Sequence, residues 1–179
     1  MIQVSEIYTT APEEYKTSLQ KETYKYLEML GISFERVDTD VVITMEDCER
    51  VEEKLEMKMV KTLFLCNRQK TLFFLFITAG DKAFKSKEFS QAVKTSRISF
   101  APEELMDEML GTKIGAATVF SAITDLDRDL QIVIDKDVAD EEYYGCSDGT
   151  TTCYLKIKTD DIINKLLPET KHKPTIIEI

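Results

Sequence analysis

The spacing of hydrophobic and polar residues predicts helices and strands in a mixed order along the chain. Apolar residues recur at helical spacing from Pro12 to Leu30, and Gly31 ends this pattern, which predicts a first helix. Two apolar, β-rich runs, 59–66 and 71–78, are separated by four polar residues and predict a β-hairpin. Further helices are expected to begin at Thr44, Ser86, Pro102 and Thr159, and further strands are expected at 32–37, 41–43, 97–100, 131–134, 151–158 and 175–179.

This order of elements predicts one α/β domain over residues 1–179. Helices and hairpin-linked strands in one chain favour a mixed, largely antiparallel sheet flanked by helices. Periodicity leaves open whether that sheet curves towards a barrel. The 179 residues are enough to bury a core without disulfides or metals. With 43% hydrophobic and 31% charged residues, the composition excludes disorder, collagen and coiled coil as the main structure.

We expect neither a membrane span nor a secretory leader in this sequence. No stretch approaches the roughly 20 consecutive apolar residues that a bilayer requires. The N-terminus lacks the basic segment and the following apolar segment of a signal peptide. We therefore expect a cytoplasmic protein that does not bind membranes.

Residue types that usually hold metals or act as nucleophiles are few. The four cysteines form no C-x-x-C pair, and we expect them to be reduced and mostly buried as small core residues. The single histidine, His172, stands in a polar C-terminal stretch, where we expect it to be solvated. There is no glycine-rich nucleotide-binding loop. The sequence therefore predicts no metal site and no organic cofactor.

Charge is unevenly distributed along the chain. The net charge is −10, yet residues 54–97 hold ten bases and three acids, so this segment carries +7 and the remainder −17. One interpretation is a pair of solvated faces of opposite sign. The other is a local anion-binding surface on an otherwise repulsive protein, which would suit a phosphate-bearing end better than long duplex DNA.

Three features could bind a ligand or carry chemistry. Lys61 shares a predicted strand face with Leu63, so it is either an edge lysine whose stem packs on its neighbours or an ammonium aimed into a pocket. Gly111 and Gly115 would let the backbone approach a ligand closely, or they simply form turns. Residues 144–152 are predicted to form a loop that enters a strand, and their hydroxyls could bind a ligand or simply form turns.

The order of these features resembles the YbaK/ProX family of aminoacyl-tRNA editing domains, which are related to the insertion domain of bacterial prolyl-tRNA synthetases. The resemblance covers nearly the whole chain, and it lies in the order and spacing of the motifs together. The matching stretches are 44–48, 60–65, 81–87, 97–101, 110–115, 133–135, 145–152 and 171–177.

The resemblance implies a mixed α/β fold with a curved, barrel-like sheet, and a trans-editing enzyme that hydrolyses the ester of mischarged tRNA, with alanyl-tRNA for proline as the first candidate. It implies that Lys61 is the essential side chain, which orients the aminoacyl-adenosine end. The residues implied for substrate binding are Thr62, Gly111, Gly115, Ala116, Asp135, Gly149 and Thr151. The implied partner is the acceptor end of tRNA, with prolyl-tRNA synthetase as a further candidate; neither DNA nor a membrane, and no metal or cofactor, is implied.

Several positions depart from the family pattern. Ile114 and Val119 stand where the family loop often has proline, and Thr62 stands where asparagine is common in the alanine-specific branch. Ser147 and Asp148 precede a glycine where the family frequently has a His-Pro pair. These departures could change the amino acid that is edited or impair the site.

Three alternatives therefore stay open at the level of sequence. The first is a deacylase for cysteinyl-tRNA or another small amino acid. The second is a binding module that recruits tRNA or a synthetase without catalysis. The third is a thiol-based regulator that uses Cys66 or Cys146.

Overall fold

The computed structural model describes residues 1–179 and alternates helices with strands. The helices are α1 (Ser18–Met29), α2 (Met45–Leu55), α3 (Ser86–Ala92) and α4 (Lys136–Ala139), with a π-helical turn at Met106–Leu110, a 3-10 helix at Val119–Ile123 and a C-terminal helical segment built from Thr159–Asp161, Ile162–Leu166 and Leu167–Glu169. The strands are β1 (Phe34–Asp38), β2 (Val60–Asn67), β3 (Phe73–Ala79), β4 (Ile98–Phe100), β5 (Leu130–Asp135), β6 (Tyr143–Ser147), β7 (Cys153–Lys158) and β8 (Thr175–Ile177). None of the helices is long and apolar enough to cross a membrane.

The first helix begins later than the sequence predicts. Thr17 caps α1 by accepting a hydrogen bond from the backbone N–H of Gln20 (3.0 Å). The residues before it are held along β1 instead, because the Arg36 guanidinium donates to the carbonyl of Thr10 (2.6 Å). The predicted start near Pro12 is therefore wrong, although the helix itself is present.

The start of α2 is as predicted, but the strand expected before it is absent. Thr44 and Asp47 form a reciprocal capping box at the first turn of α2. The backbone N–H of Ile43 also donates to the Asp47 carboxylate (3.1 Å), so it serves the cap and has no strand partner. Val41 and Ile43 are exposed, which explains why their apolar character did not produce a strand.

Five strands form a mixed sheet in the order β4-β2-β3-β5-β8. β2 and β3 form the predicted antiparallel hairpin, and β4 pairs with β2, also antiparallel. β5 lies parallel to β3, and β8 lies parallel to β5. The predicted C-terminal edge strand is thus confirmed, and it closes the side of the sheet opposite β4.

The other three strands form a second, antiparallel sheet in the order β1-β7-β6. An isolated parallel bridge between Met59 and Gly145 joins it to the first sheet. A Cβ on Gly145 would lie 2.7 Å from the carbonyl oxygen of Lys58, so this approach requires glycine. The α/β class and the mostly antiparallel pairing are confirmed; the strands form two open sheets, which do not close into a barrel.

The main core lies between the two sheets. The inner face of the five-stranded sheet contributes Phe64 and Leu75, and the three-stranded sheet contributes Tyr144 and Leu155. Helix α1, the 3-10 helix and the C-terminal helical segment pack around the same cluster. Phe89 of α3 covers the outer face of the five-stranded sheet in a second, smaller cluster. The five-stranded sheet therefore has a buried inner face and an outer face that α3 covers.

The C-terminal histidine is part of the fold. His172 is 5% exposed; its Nε2 lies 2.8 Å from Asp125 Oδ2 and its Nδ1 lies 2.9 Å from Thr170 Oγ1. The prediction of a solvated histidine is wrong, because the polar tail turns back to place β8 beside β5 and buries the ring. The cysteines fit their prediction: Cys66, Cys146 and Cys153 are buried and all four are free thiols.

Candidate functional site

A pocket of about 630 Å³ opens where the start of α1 meets two loops. Its walls are residues 17–19, the loop that follows Leu110, and residues 149–152 between β6 and β7. Four of the residues predicted for substrate binding line it, namely Gly111, Ala116, Gly149 and Thr151. A fifth lies beside them, because a Cβ on Gly115 would be 3.8 Å from Thr151 Cγ2. The structure thus brings five of the predicted residues together.

Glycine is required in both loops of this pocket. Gly111 has φ +68° and ends the π-helical turn in the left-handed conformation. Gly149 has φ +95°, and a Cβ at this position would lie 3.0 Å from Leu19 Cδ2. A side chain there would strain the backbone and press on α1. The two glycines therefore let the loops approach α1 closely enough to form the pocket.

A buried carboxylate holds the second loop against α1. Asp148 is fully buried, and its Oδ2 accepts hydrogen bonds from Gln20 Nε2 (2.8 Å) and from the Tyr24 hydroxyl (2.7 Å). Its Oδ1 accepts from the hydroxyl of Thr150, which lines the pocket (2.7 Å). Burial and the adjacent Asp148 carboxylate raise the pKa of Tyr24 well above its usual value, so its hydroxyl stays a donor.

Two buried hydroxyls connect the pocket loops to each other and to the π-helical turn. Thr118 Oγ1 donates to the carbonyl of Ser147 (2.9 Å), which links the loop after Gly115 to the end of β6. Ser121 Oγ donates to the carbonyl of Leu110 (2.7 Å), the last residue of the π-helical turn. These bonds fix the geometry of both loops without using any atom that faces the pocket opening.

One buried hydroxyl in the pocket wall has no partner. Thr112 is 3% exposed, and its Oγ1 makes no hydrogen bond within the protein. An unpaired buried hydroxyl costs roughly 1–3 kcal/mol, so a ligand or a water molecule that bonds to it would be favoured. Exposed side chains of both signs line the pocket, namely Lys16, Lys113, Asp107 and Glu108.

Lys61 and Asp135 lie in a different place, a cluster of charged groups at one end of the five-stranded sheet. Lys61 Nζ donates a hydrogen bond to the backbone carbonyl of Lys82. Asp135 is buried, and its Oδ2 accepts from Lys82 Nζ (2.9 Å) and from the Thr78 hydroxyl (2.8 Å). Lys82 Nζ also pairs with the Asp137 carboxylate (2.9 Å). The hydrogen bonds to Asp135 and Asp137 raise the pKa of Lys82.

This charged cluster and the pocket lie on opposite faces of the five-stranded sheet. Lys61 shares its face of β2 with Leu65, which packs in the smaller cluster under α3. Leu110, which leads into the pocket loop, packs in the main core on the other face. Thr62 is half-buried and points to that inner face, but it does not line the pocket. Neither Lys61 nor Asp135 lines the pocket either.

Comparison with known proteins identifies the family to which this fold and these loops belong. Residues 39–165 match the aminoacyl-tRNA editing domain. The chain belongs to the aminoacyl-tRNA editing domain family. It is similar to the prolyl-tRNA editing protein ProX of Acetoanaerobium sticklandii, with 25% identity over 112 residues that cover 63% of this chain and 68% of that protein.

Solved structures share the fold of this editing domain at low sequence identity. One is a candidate trans-editing enzyme for prolyl-tRNA synthetase, with a TM-score of 0.65 and 14% identity, covering 92% of this chain and 99% of that one. Another is a scaffold protein used for epitope grafting, with a TM-score of 0.66 and 14% identity, covering 91% of this chain and 98% of that one. At such identities the likeness shows the fold alone.

Family membership confirms that this chain is an aminoacyl-tRNA editing enzyme of the predicted α/β fold. The roles assigned to individual residues stay predictions. The thiol-based alternative has no support from the structure, because burial raises the pKa of the Cys146 and Cys66 thiols and keeps them protonated at neutral pH. No group of three His, Cys, Asp or Glu side chains is placed to hold a metal ion.

Sequence reasoning missed several residues that build the pocket of the editing domain. It treated Asp148 only as a departure from the family pattern, although an Asp before Gly149 and Thr150 is a recognisable signal for a side chain that bonds its own loop. Its partners Gln20 and Tyr24 lie 128 and 124 residues away in the chain, so no local pattern could reveal them. Whether the hydroxyl of Thr112 finds a hydrogen-bond partner likewise depends on its neighbours in the folded protein, so the sequence could not reveal it.

Proposed function

We propose that this protein is a trans-editing deacylase that hydrolyses alanyl-tRNA for proline, and that the pocket beside Gly111 takes the aminoacyl end. Family membership supports the editing reaction, and the name of the ProX relative points to a prolyl-tRNA pathway. The observation that carries the assignment of the pocket is the buried, unpaired hydroxyl of Thr112 between two glycine-containing loops.

The reaction needs little protein machinery, which agrees with the composition of the pocket. An aminoacyl ester is already activated and has a neighbouring ribose hydroxyl, so a positioned water and hydrogen-bond donors at the carbonyl oxygen suffice. In this pocket we assign that donor role to the Thr112 hydroxyl and to the backbone N–H of Gly115, which makes no hydrogen bond within the protein. The ester bond breaks, water supplies the hydroxyl to the amino acid, and the tRNA keeps the ribose oxygen with a proton.

Editing of alanine has a clear energetic purpose. A synthetase pocket built for proline discriminates against a smaller side chain by only roughly 1–3 kcal/mol per missing methylene, so a second and smaller site is needed. The small residues Gly111 and Ala116 line the pocket, and Gly115 lies beside Thr151 in its wall. We propose that this part of the pocket admits alanine and excludes the proline ring.

Lys61 stays our candidate for the essential side chain. Its ammonium bonds to the carbonyl of Lys82 on the outer face of the sheet, opposite the pocket, so we assign it to a phosphate of the tRNA and not to the aminoacyl group. Contact with that phosphate would replace the hydrogen bond to Lys82. Asp135 and Thr151 stay the weaker candidates; Thr151 lines the pocket, whereas Asp135 and Thr62 do not. The partners we propose are the acceptor end of proline tRNA and prolyl-tRNA synthetase, in the cytoplasm, with residues 1–179 acting as one editing domain.

The test is hydrolysis of a panel of aminoacyl-tRNAs by the purified protein. The panel contains alanyl-tRNA(Pro), cysteinyl-tRNA(Pro), seryl-tRNA(Ala) and prolyl-tRNA(Pro). Rapid loss of alanine with proline spared supports the proposal, whereas faster loss of cysteine would favour the cysteinyl-tRNA alternative. Binding of tRNA without turnover on any substrate would overturn the proposal and favour the non-catalytic binding module.

A matched pair of variants tests the pocket itself. Thr112→Val removes the unpaired hydroxyl and keeps the shape of the side chain. Thr159→Val is the control, because Thr159 Oγ1 is also buried and unpaired but does not line the pocket. We expect Thr112→Val alone to slow deacylation by about 10-fold or more, the effect of losing one transition-state hydrogen bond. Equal rates in the two variants would show that the Thr112 hydroxyl does not touch the substrate.

A further inference from the structure

A small basic surface lies at the edge of the five-stranded sheet, away from both the pocket and the charged cluster around Asp135. It surrounds a shallow cavity of about 450 Å³ at the hairpin between β2 and β3 and the neighbouring edge strand β4. Its defining side chains are Arg68, Lys70, Arg97 and Phe100. We refer to these four residues as the basic edge surface.

The cations of this surface are unpaired. Arg68, Lys70 and Arg97 make no ion pair and no side-chain hydrogen bond in the structure. No acidic residue lines the cavity, although the protein as a whole carries a net charge of −10. The surface is therefore a local positive region on a protein whose net negative charge repels phosphates elsewhere, and it is complementary to phosphates.

An exposed aromatic ring stands among these cations. Phe100 is 61% exposed, and its ring meets Phe84 edge-on with 5.5 Å between centroids. It lies on β4, which has a strand neighbour only on the β2 side. A basic groove with an aromatic ring is the combination that binds unpaired nucleotides, since phosphates pair with the cations and a base stacks on the ring. A duplex offers no free base for such a ring.

The chain that follows β4 connects this surface to the pocket. Pro102 lines the cavity of the basic edge surface, and Gly111 lines the pocket. The residues between them include one continuous helical stretch, 104–110, which contains the π-helical turn. The two cavities therefore lie at the two ends of one short segment of the chain.

We propose that the basic edge surface binds the unpaired nucleotides of the tRNA acceptor end, next to the aminoacylated nucleotide, with one base stacked on Phe100. This inference rests on the proposed function, because it assumes that the aminoacyl group enters the pocket beside Gly111. It adds the surface that distinguishes tRNA from any other aminoacyl ester.

The test compares tRNA binding by charge-matched double variants. Arg68→Glu with Arg97→Glu reverses two charges of the surface. Lys54→Glu with Lys158→Glu is the control, because both lysines are exposed and belong to neither cavity. Binding is measured by fluorescence anisotropy with uncharged tRNA and with the same tRNA trimmed of its unpaired 3′ nucleotides, over a range of salt concentrations.

We expect the Arg68/Arg97 variant to bind intact tRNA at least 10-fold more weakly than the control. The slope of log K against log salt should fall by about 1.4, the value for two contacts to single-strand phosphates. Phe100→Leu should weaken binding of intact tRNA by about 5-fold or more, whereas Phe100→Tyr, which keeps the ring, should bind like the wild type. None of these differences should appear with trimmed tRNA.

Equal binding by the two double variants, or effects that persist on trimmed tRNA, would overturn the proposal. The binding assay is independent of turnover, so it separates this inference from the proposed function. If the wild type hydrolyses no aminoacyl-tRNA but the Arg68/Arg97 variant still loses binding, the surface is correct and the deacylase assignment fails. If the wild type deacylates alanyl-tRNA(Pro) and both double variants bind alike, the deacylase stands and the surface fails.

Discussion

Removal of the Asp148 carboxylate should destabilise the protein and disorganise the pocket. Asp148→Ala leaves four buried donors without their acceptor, namely Gln20 Nε2, the Tyr24 hydroxyl, and the hydroxyl and backbone N–H of Thr150. Each unsatisfied buried group costs roughly 1–3 kcal/mol. The Tyr24 hydroxyl has a weak alternative in Cys153 Sγ at 3.3 Å, and water can enter the vacated space, so we expect a total near the lower end, about 3 kcal/mol.

Urea unfolding and a thermal scan measure this loss. For a chain of this size, about 3 kcal/mol lowers the melting temperature by roughly 6–12 °C. Asp127→Ala is the matched control, because Asp127 is exposed and its removal changes the net charge equally. Asp148→Asn keeps one acceptor oxygen and should lose less than Asp148→Ala. A melting temperature of Asp148→Ala within 2 °C or so of Asp127→Ala would refute the idea that this carboxylate holds the loop on α1.

Four further predictions concern other parts of the molecule. Lys61→Ala should abolish deacylation with an unchanged circular dichroism spectrum, and wild-type rates would remove Lys61 from the site. Gly149→Ala should cost about 1–3 kcal/mol in urea unfolding because φ is +95° and Leu19 is close, and no loss would contradict that strain. His172→Ala should cost about 2 kcal/mol by the same measurement, since it removes the buried partner of an aspartate. The free energy of unfolding should fall as pH rises above about 8.5, because the thiol of Cys146 loses its proton in the unfolded chain but keeps it in the native protein. In urea unfolding at several pH values, Cys146→Ala should make this fall less steep by up to about 1.4 kcal/mol per pH unit.

Local patterns in the sequence predicted most elements of the fold, because the interactions that define them are local. Strand β6 (Tyr143–Ser147) was missed, because residues 144–152 were interpreted as a loop. The capping box of Thr44 and Asp47 lies within four residues, and the hairpin between β2 and β3 follows from two apolar runs joined by a short polar loop. The first helix began later than predicted because Arg36, on a strand that follows the helix, holds the carbonyl of Thr10. The pairing of β8 with β5 buried His172 for a similar reason, since a distant strand decided the environment of a polar tail.

The candidate site was predicted in part. The two glycine-containing loops came together as the resemblance implied, because the glycines mark positions where the backbone needs φ above zero or close contact. The side chains that hold those loops were not predicted. Asp148 and Gln20 are 128 residues apart, and a hydrogen bond over that distance is a property of the folded chain. Alternation along β2 did predict that Lys61 and Leu63 share a face, but it gave no information on which face the pocket would occupy.

After β4 the chain passes from the outer face to the inner face of the five-stranded sheet. Phe100 packs against Phe84 on the outer face of the sheet, whereas Leu105 and Met109 pack against the main core on the inner face. The backbone N–H of Ala101, between them, still bonds to the carbonyl of β2 residue Phe64 (2.9 Å). The chain therefore crosses the open edge of the sheet at this point, and the segment that follows leads to the pocket. On the route that we propose, an RNA strand enters over the basic edge surface and follows the same edge to the inner pocket.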